Sequence, residues 1–432
     1  MRLPRLPALK RPSSLPLCRF YSSSRTIQEN DVLFLRQHGE KAAKWHLTAP
    51  LRAGSRVKLS YGASVKASDL IGRCVLDAVP DSTGRTVILH EPSMATYIIN
   101  SSRLATPIYP HDANTIVSML DLNLPRPGEE EFDTSTDQKP PPFEIFEAGT
   151  GMGSLTLHLV RAIHAANPAV SPSLRNSLSS AHYKANGEFG LDLSPEDQIT
   201  YDDYRASRHA VLHTLDRNPK HSRGAHRLIH GFRRSLYLPS VDFHVGSIDK
   251  YISSRLAQTN NQPFLSHAIL DLPSAHDHAA SVIQALHPNG LLVIFTPSIS
   301  QIADFQAWAV RSDQPLNCER VIELAVSTTA DGIRDSGGGK EWDIRTTMPK
   351  GQIDGAPVQV MRPKVGDRVV GGGFVAVMRR WPVKQMAGKS ESLDEQVTSE
   401  LDGVIETAEQ LPSDGPSENE VPSQNEYPTK SY

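Results

Sequence analysis

Through the middle of the chain, short apolar runs rich in β-branched and aromatic residues alternate with stretches whose apolar positions recur every three or four residues. That alternation is the pattern of parallel strands joined by helices. Residues 143–146 supply one run through Phe143, Ile145 and Phe146; Gly149, Gly151 and Gly153 follow, and Leu155, Leu159 and Ile163 then repeat at helical spacing up to Pro168. Glycine at alternate positions lets a backbone turn sharply and approach a ligand with no Cβ in the way. Ser154 is expected to cap the helix behind it. Further strands are predicted at 210–216, closing on Asp216; at 242–245, running into Gly246, Ser247 and Asp249; and at 267–272, containing Asp271. A helix is expected to run to Leu286, with a turn at His287-Pro288-Asn289-Gly290 before a buried strand at 291–295. Strands at 341–345 and 371–378, joined by a loop at 348–369, complete a seven-stranded mixed α/β sheet.

Ahead of this pattern the periodicity is different. Residues 31–106 read as a small β-rich, barrel-like domain, with strands at 57–61, 71–76, 87–89 and 97–99 and turns such as Asp81-Ser82-Thr83-Gly84. It could grip a partner subunit or RNA, or cover one face of the larger sheet, and composition does not choose. Ile108-Tyr109-Pro110-His111-Asp112-Ala113 then leads into a helix carrying Ile116, Leu120 and Leu124. Asp112 suits either a helix cap or a contact role. Residues 125–142 form a Pro- and acid-rich loop. Residues 169–207 hold Ser, Asn, Gly and Asp with little periodicity and are expected to be an inserted loop.

Composition changes the picture mainly at the ends. The chain has 432 residues, room for two or three domains, with 38% hydrophobic residues and a net charge of -3. No apolar run approaches the roughly 18 residues of a membrane span. Cys18, Cys74 and Cys318 lie too far apart for a metal-ligand motif or a disulfide framework, so no metal is expected. Residues 1–28 carry Arg2, Arg5, Lys10, Arg11, Arg19 and Arg25 among many serines, with no acid before Glu29. That composition is a mitochondrial presequence's, and Arg19-Phe20-Tyr21-Ser22 is similar to a matrix-processing site. A basic leader with no mitochondrial address, and a nuclear location, is the alternative. Residues 390–432 are acidic, with Lys430 as their one base, and are expected to be disordered. With both ends set aside the body is near neutral, so any RNA site must be a local patch. The basic stretch is 205–234, with Arg217, Lys220, Arg223, Arg227, Arg233 and Arg234 as RNA-phosphate candidates; a solvated helix face reads equally well.

The glycine spacing is G-x-G-x-G, not the G-x-G-x-x-G of dinucleotide folds. With Glu147 two residues ahead of the first glycine, the stretch resembles motif I of the class I S-adenosylmethionine-dependent methyltransferases, whose seven-stranded Rossmann-like sheet is the fold this implies. An ordinary glycine-rich turn is the plain alternative. Leu270-Asp271-Leu272-Pro273, the later Pro297-Ser298 with Gln301-Ile302, and Tyr109-Pro110 with Asp112-Ala113 resemble the catalytic subunits of the tRNA (adenine-N1)-methyltransferases, mitochondrial type. The resemblance covers roughly residues 109–381, and the small β domain resembles that family's N-terminal domain.

It implies an S-adenosylmethionine site built from Glu147, Gly149, Thr150, Gly151, Gly153, Ser154, Asp216, Ser247, Asp249 and Asp271. Asp216 is assigned the ribose hydroxyls, because an acid closing the second strand can accept from both. Glu147 is assigned the cofactor's ammonium. Asp271 is the candidate catalytic group at the amino edge of the target adenine, with Tyr109 stacking on base or cofactor, unless it is a plain buried tyrosine. tRNA is the implied substrate, and a homotetramer, or a heterotetramer with a noncatalytic sister subunit, the implied assembly. Two departures stand out: Ser274-Ala275-His276 replaces a frequent Pro-Trp, and Ser247 stands where many methyltransferases place an adenine-binding acid, with Asp249 nearest. A noncatalytic RNA-binding sister subunit, or an enzyme acting on rRNA or a protein carboxylate, are the alternatives.

Overall fold

The computed structural model describes residues 25–37, 44–59, 62–129, 141–184, 189–327, 337–339, 342–348, 357–363 and 369–382. Residues 1–24 of the expected leader, most of the proline-rich loop and the acidic tail lie outside them; residues 25–28 belong to the folded part, with Ile27 buried in its core.

The N-terminal part is antiparallel. Strands β1 (Phe34–Gln37), β2 (Trp45–Leu47), β5 (Ala78–Pro80) and β6 (Thr86–His90) pair in the order β2-β1-β6-β5, and β3 (Arg56–Lys58) with β4 (Ser64–Lys66) forms a separate hairpin. Leu35, Leu51, Val65, Val87 and Leu89 share one small core. Among the described residues the sheet stays open from β2 to β5, short of the barrel expected. Two other expected strands are absent. Residues 71–76 form turns, with Leu76 at φ +73°. Residues 97–99 lie in helix α1 (Met94–Asn100), whose Ser93 cap accepts the Thr96 N–H at 3.1 Å. The capping serine outweighs the strand preference of Tyr97-Ile98-Ile99.

Helix α2 (Pro110–Met119) leads to the main sheet: β7 (Phe143–Ala148), α3 (Ser154–Ile163), α4 (Pro172–Ser180), β8 (His182–Tyr183), β9 (Leu191–Asp192), α5 (Pro195–Ser207), β10 (Ala210–Asp216), α6 (Pro219–Gly231), β11 (Val241–Val245), α7 (Ile248–Gln258), β12 (Leu265–Asp271), α8 (His276–Ala285), β13 (Leu286–Thr296), α9 (Ile299–Arg311), β14 (Leu316–Leu324), β15 (Trp342–Thr347), β16 (Val358–Pro363) and β17 (Gly373–Arg380). The seven strands run in the order β11-β10-β7-β12-β13-β17-β14. Neighbours from β11 to β13 pair parallel, while β17 pairs antiparallel with both β13 and β14.

Residues of the central strands alternate between two cores. Ile145, Leu212, Ile269 and Val293 face α3 and α6 on one side, where Leu155, Leu159, Ile163 and Ile229 are buried. Phe146, Leu215, Leu270 and Ile294 face α7, α8 and α9 on the other, against Ile252, Val282 and Phe305. With helices on both faces, every second residue meets a hydrophobic layer, so these strands are apolar throughout. Each such side chain contributes about 1.5–3 kcal/mol of burial.

Three expectations for this part are corrected. The 169–207 insertion is not a loop but a helix, a two-stranded hairpin and a second helix: Ser171 and Ser194 cap α4 and α5, and Leu174, Leu178 and Tyr204 anchor them in the core. Few apolar positions suffice because the caps satisfy the first turns. The turn at 287–290 is absorbed into β13 as an irregularity, with Asn289 at φ +71° and a register shift opposite Leu265 and His267. Finally, β15 is not in the sheet; it pairs with β16 inside the expected 348–369 loop, and the edge place belongs to β14. β14 shows no apolar run because an edge strand has a neighbour on one side only, and most of its residues are exposed.

Candidate active site

Four strand-to-helix connections, after β7, β10, β11 and β12, meet at the carboxyl end of the sheet. There the 149–153 loop lies directly on strand β12. Gly149 sits at φ +96°, and a Cβ on it would fall 2.1 Å from the Asp271 carbonyl oxygen, so only glycine fits. Gly153, at φ +89°, caps α3 and lets it approach α6, since a Cβ there would lie 2.8 Å from the Ala225 Cβ. Ser154 is therefore not the cap; its hydroxyl donates to the Ile108 carbonyl at 2.6 Å and ties the α2 lead-in to the glycine loop. Gly151, at φ +52°, is less crowded: a Cβ there would only touch the Ala105 Cβ, 3.8 Å away.

A cleft of about 300 Å³ opens in front of this loop. Gly149 and Gly151 form its floor, Leu215, Ile248, Leu272 and Pro273 its apolar walls, Ala105 and Thr106 one lip, and Asp216, Arg217, His221, Ser247, Asp271 and His278 its polar groups. Asp216 is held from three directions. Its Oδ2 accepts the Gly151 N–H at 3.0 Å and lies 3.2 Å from His221 Nδ1, while Oδ1 accepts the Asn218 N–H at 2.8 Å. Asp271 is different. Among the described residues nothing hydrogen-bonds its side chain, and burial, with the Asp216 charge as a second cause, pushes its carboxyl up to about 7.

Of the residues expected here, Gly149, Gly151, Asp216, Ser247, Asp271 and Arg217 line the cleft. Others stand behind it. Thr150 Oγ1 lies 2.7 Å from Thr214 Oγ1 under the loop. Glu147 corrects its assigned role: its side chain is sealed in the core, where Thr156 Oγ1 donates to it at 2.7 Å, and burial pushes its carboxyl up to about 8 despite hydrogen bonds from Thr156 and Thr214. A neutral, enclosed carboxyl supports the loop and offers no charge to an ammonium group.

Tyr109 is the residue preceding α2, with the Arg103 guanidinium 5.8 Å from its ring centroid, and does not line the cleft. Asp112 is buried within the first turn rather than at the cap and accepts the Gly372 N–H at 3.1 Å, linking α2 to β17. Asp249 also stands off the cleft; its carboxylate accepts from Ser281 Oγ at 2.8 Å and pairs with His278 Nδ1 at 3.2 Å.

The basic stretch divides. Arg227 stacks over Tyr183 of the insertion, Arg233 pairs with Glu91, and Arg234 bonds Gln28 and Asn176, so these three serve the internal packing of the protein. Lys220 stands exposed near the start of α6, while Arg223 is half-buried and its Nε donates to the Pro219 carbonyl at 3.3 Å. His221 and His278 were missed by sequence reasoning. His221 lies five residues beyond Asp216, a detectable spacing, whereas His278 reaches the cleft only through the docking of α8.

A doubly wound sheet whose last strand inserts antiparallel between the fifth and sixth, with a glycine cradle after the first strand and an acid after the second, decides the architecture. This is the class I methyltransferase fold. No protein-family model matches the chain. Among curated proteins it is similar to the tRNA (adenine(58)-N(1))-methyltransferases TrmI of two strains of Thermus thermophilus, each 24% identical over 312 residues that span 71% of this chain and 84% of the relative. Among solved structures it is similar to a SAM-dependent O-methyltransferase from Thermotoga maritima, with 13% identity, 83% of this chain and 95% of that one covered, and a TM-score of 0.49. A tRNA methyltransferase TrmI from Aquifex aeolicus has 11% identity, 83% and 100% coverage, and a TM-score of 0.44.

A class I methyltransferase cleft must accept a nucleoside joined to an amino acid through a sulfonium. The residues fit that shape: a floor of Gly149 and Gly151, a carboxylate fixed beside it at Asp216, and apolar walls at Leu215 and Ile248 for a flat ring.

Proposed function

We propose that the chain is the catalytic subunit of a tRNA (adenine-N1)-methyltransferase that modifies the T-loop adenine. The observation that carries the proposal is the Asp271 carboxyl, without a hydrogen-bond partner among the described residues and facing the same cleft as the glycine loop. Similarity to enzymes whose name specifies that reaction supports it.

The cofactor is S-adenosylmethionine, which supplies a methyl group on a positively charged sulfur. The chain's own residues position the two reactants. Gly149 and Gly151 bring the backbone close to the cofactor, and Asp216, kept in place by Gly151 and Asn218, offers its remaining lone pairs to the ribose hydroxyls. Adenine N1 attacks with its own lone pair, so no strong base is needed beforehand. As it does so the ring becomes cationic and its exocyclic amino group a stronger donor. Ionised Asp271 accepts that hydrogen bond more strongly in the transition state than in the ground state, and this difference is what accelerates the step. N1 lies on the pairing edge, so the adenine must first leave its tertiary pairing, at a cost of a few kcal/mol. Arg217 at the cleft, with exposed Lys220 beyond it, is the part of the basic stretch offered to RNA phosphates.

We place the reaction in the mitochondrial matrix, on the strength of the basic, acid-free leader, and the active form as a homotetramer, with a sister-subunit heterotetramer as the alternative. Retained Gly149, Asp216 and Asp271 favour an enzyme over a noncatalytic RNA-binding chain. The test is transfer of labelled methyl from S-adenosylmethionine to tRNA by the purified full chain with no partner added. Transfer to N1 of adenine supports the proposal; transfer to protein carboxylates, or none, removes it.

A further inference from the structure

The adenine end of the cleft lacks the acid that its position after β11 would supply. Ser247 stands there, and the Asp249 carboxylate is turned away onto α8. Among the acceptors that do line the cleft, Asp216 is engaged by three groups, the Nδ1 of His221 is directed at Asp216, and Asp271 is the group the proposed reaction assigns to the target base. His278, three residues into α8, remains. Its Nδ1 lies 3.2 Å from Asp249 Oδ2, while Ser281 Oγ holds the other oxygen of that carboxylate at 2.8 Å. Against its partial burial, the hydrogen bonds from Ser281 and His278 keep the Asp249 carboxyl below the ordinary range, so it is an anion that accepts a hydrogen bond from Nδ1–H. In the neutral imidazole this fixes the tautomer: Nδ1 donates, and Nε2, which has no partner among the described residues, presents a lone pair.

We propose that His278, oriented by Asp249, is the acceptor that recognises the exocyclic amino group of the cofactor's adenine, replacing a direct carboxylate contact by a relayed one. The inference rests on the reading of this cleft as the S-adenosylmethionine site. Asp249, which does not touch the ring, is the positioning residue. An acceptor at this place selects a 6-amino purine and rejects a 6-oxo purine, whose carbonyl would set two acceptors against each other.

The test is calorimetric titration of the full chain with S-adenosylhomocysteine and with S-inosylhomocysteine, which differ only in that purine position and its ring proton. The wild type is expected to prefer the adenosyl ligand by about tenfold or more. His278→Ala should weaken adenosyl binding by about tenfold and leave inosyl binding nearly unchanged, so that the preference collapses. His278→Gln, whose amide oxygen can accept, should restore part of it, and Asp249→Ala should lose part of it. An unchanged preference in His278→Ala, or equal weakening of both ligands, overturns the assignment. A wild-type chain that binds neither ligand overturns it together with the cofactor site. An intact preference beside absent tRNA methylation upholds it and sinks only the RNA reading.

Discussion

Glu147 and Asp271 lie on adjacent strands of one sheet, β7 and β12, and both are acids that burial pushes far up, to about 8 and about 7. Their surroundings part them. Glu147 is enclosed beneath the glycine loop with Thr156 and Thr214 bonded to it, so its raised value reflects a sealed structural polar network. Asp271 reaches a cleft and has no hydrogen-bonding partner among the described residues, so its raised value belongs to a group waiting for a ligand. A perturbed carboxyl points to chemistry only where something can reach it.

The widest separation between the two acids should appear in catalysis. Asp271→Asn is expected to lower tRNA methylation by about 100-fold or more while S-adenosylhomocysteine affinity stays within about threefold. Glu147→Gln, which keeps both hydrogen-bonding capacities of a protonated carboxyl, should stay within about twofold of wild type in both assays. Equal losses in the two variants would erase the distinction.

Next in size is the pH profile. The Asp271 carboxyl, at about 7 in the free protein, must be ionised to favour the developing cation. On the acid side kcat/KM should therefore fall about tenfold per pH unit below that value. A bound sulfonium nearby lowers the value, so kcat measured at saturating cofactor should begin to fall at lower pH. A profile flat from pH 5 to 8 would remove the ionised form from the step.

Stability gives a smaller effect with a definite sign. In the folded state Glu147 keeps its proton up to about 8, whereas an unfolded chain releases it in the ordinary carboxyl range. Between those limits the folded state binds more protons, so this group's contribution declines as pH rises. Glu147→Gln should accordingly melt a few degrees above wild type at pH 8.5 and level with it at pH 4. A gain confined to acid pH would contradict the buried neutral carboxyl. The smallest effect is expected at the RNA surface: Lys220→Ala should weaken tRNA binding by a few-fold in low salt and not in high salt, by filter binding at two ionic strengths.

How much of this was legible in the sequence follows from burial. Strands β7, β10, β12 and β13 announce themselves because helices cover both of their faces. β14 does not, since its residues at the sheet edge are mostly exposed and its apolar positions are interrupted by Asn317, Glu319 and Arg320. The insertion's helices are held by Leu174, Leu178 and Tyr204 among polar neighbours, too few to show a period. At the site, Gly149, Asp216 and Asp271 were readable because they end strands, where open sheets place their ligands. Glu147 was misassigned because a strand's residue types do not tell which side of the loop its side chain will enter. His278 was invisible because its approach depends on how α8 packs on α7.

Nucleoside mass spectrometry of tRNA, incubated with the purified full chain and S-adenosylmethionine and then cleaved to isolate the T-loop fragment, tests the central claim most directly. The account predicts N1-methyladenosine in that fragment with wild type and its loss with Asp271→Asn. Undiminished N1-methyladenosine from the variant, or none from a wild-type chain that binds S-adenosylhomocysteine, would contradict it.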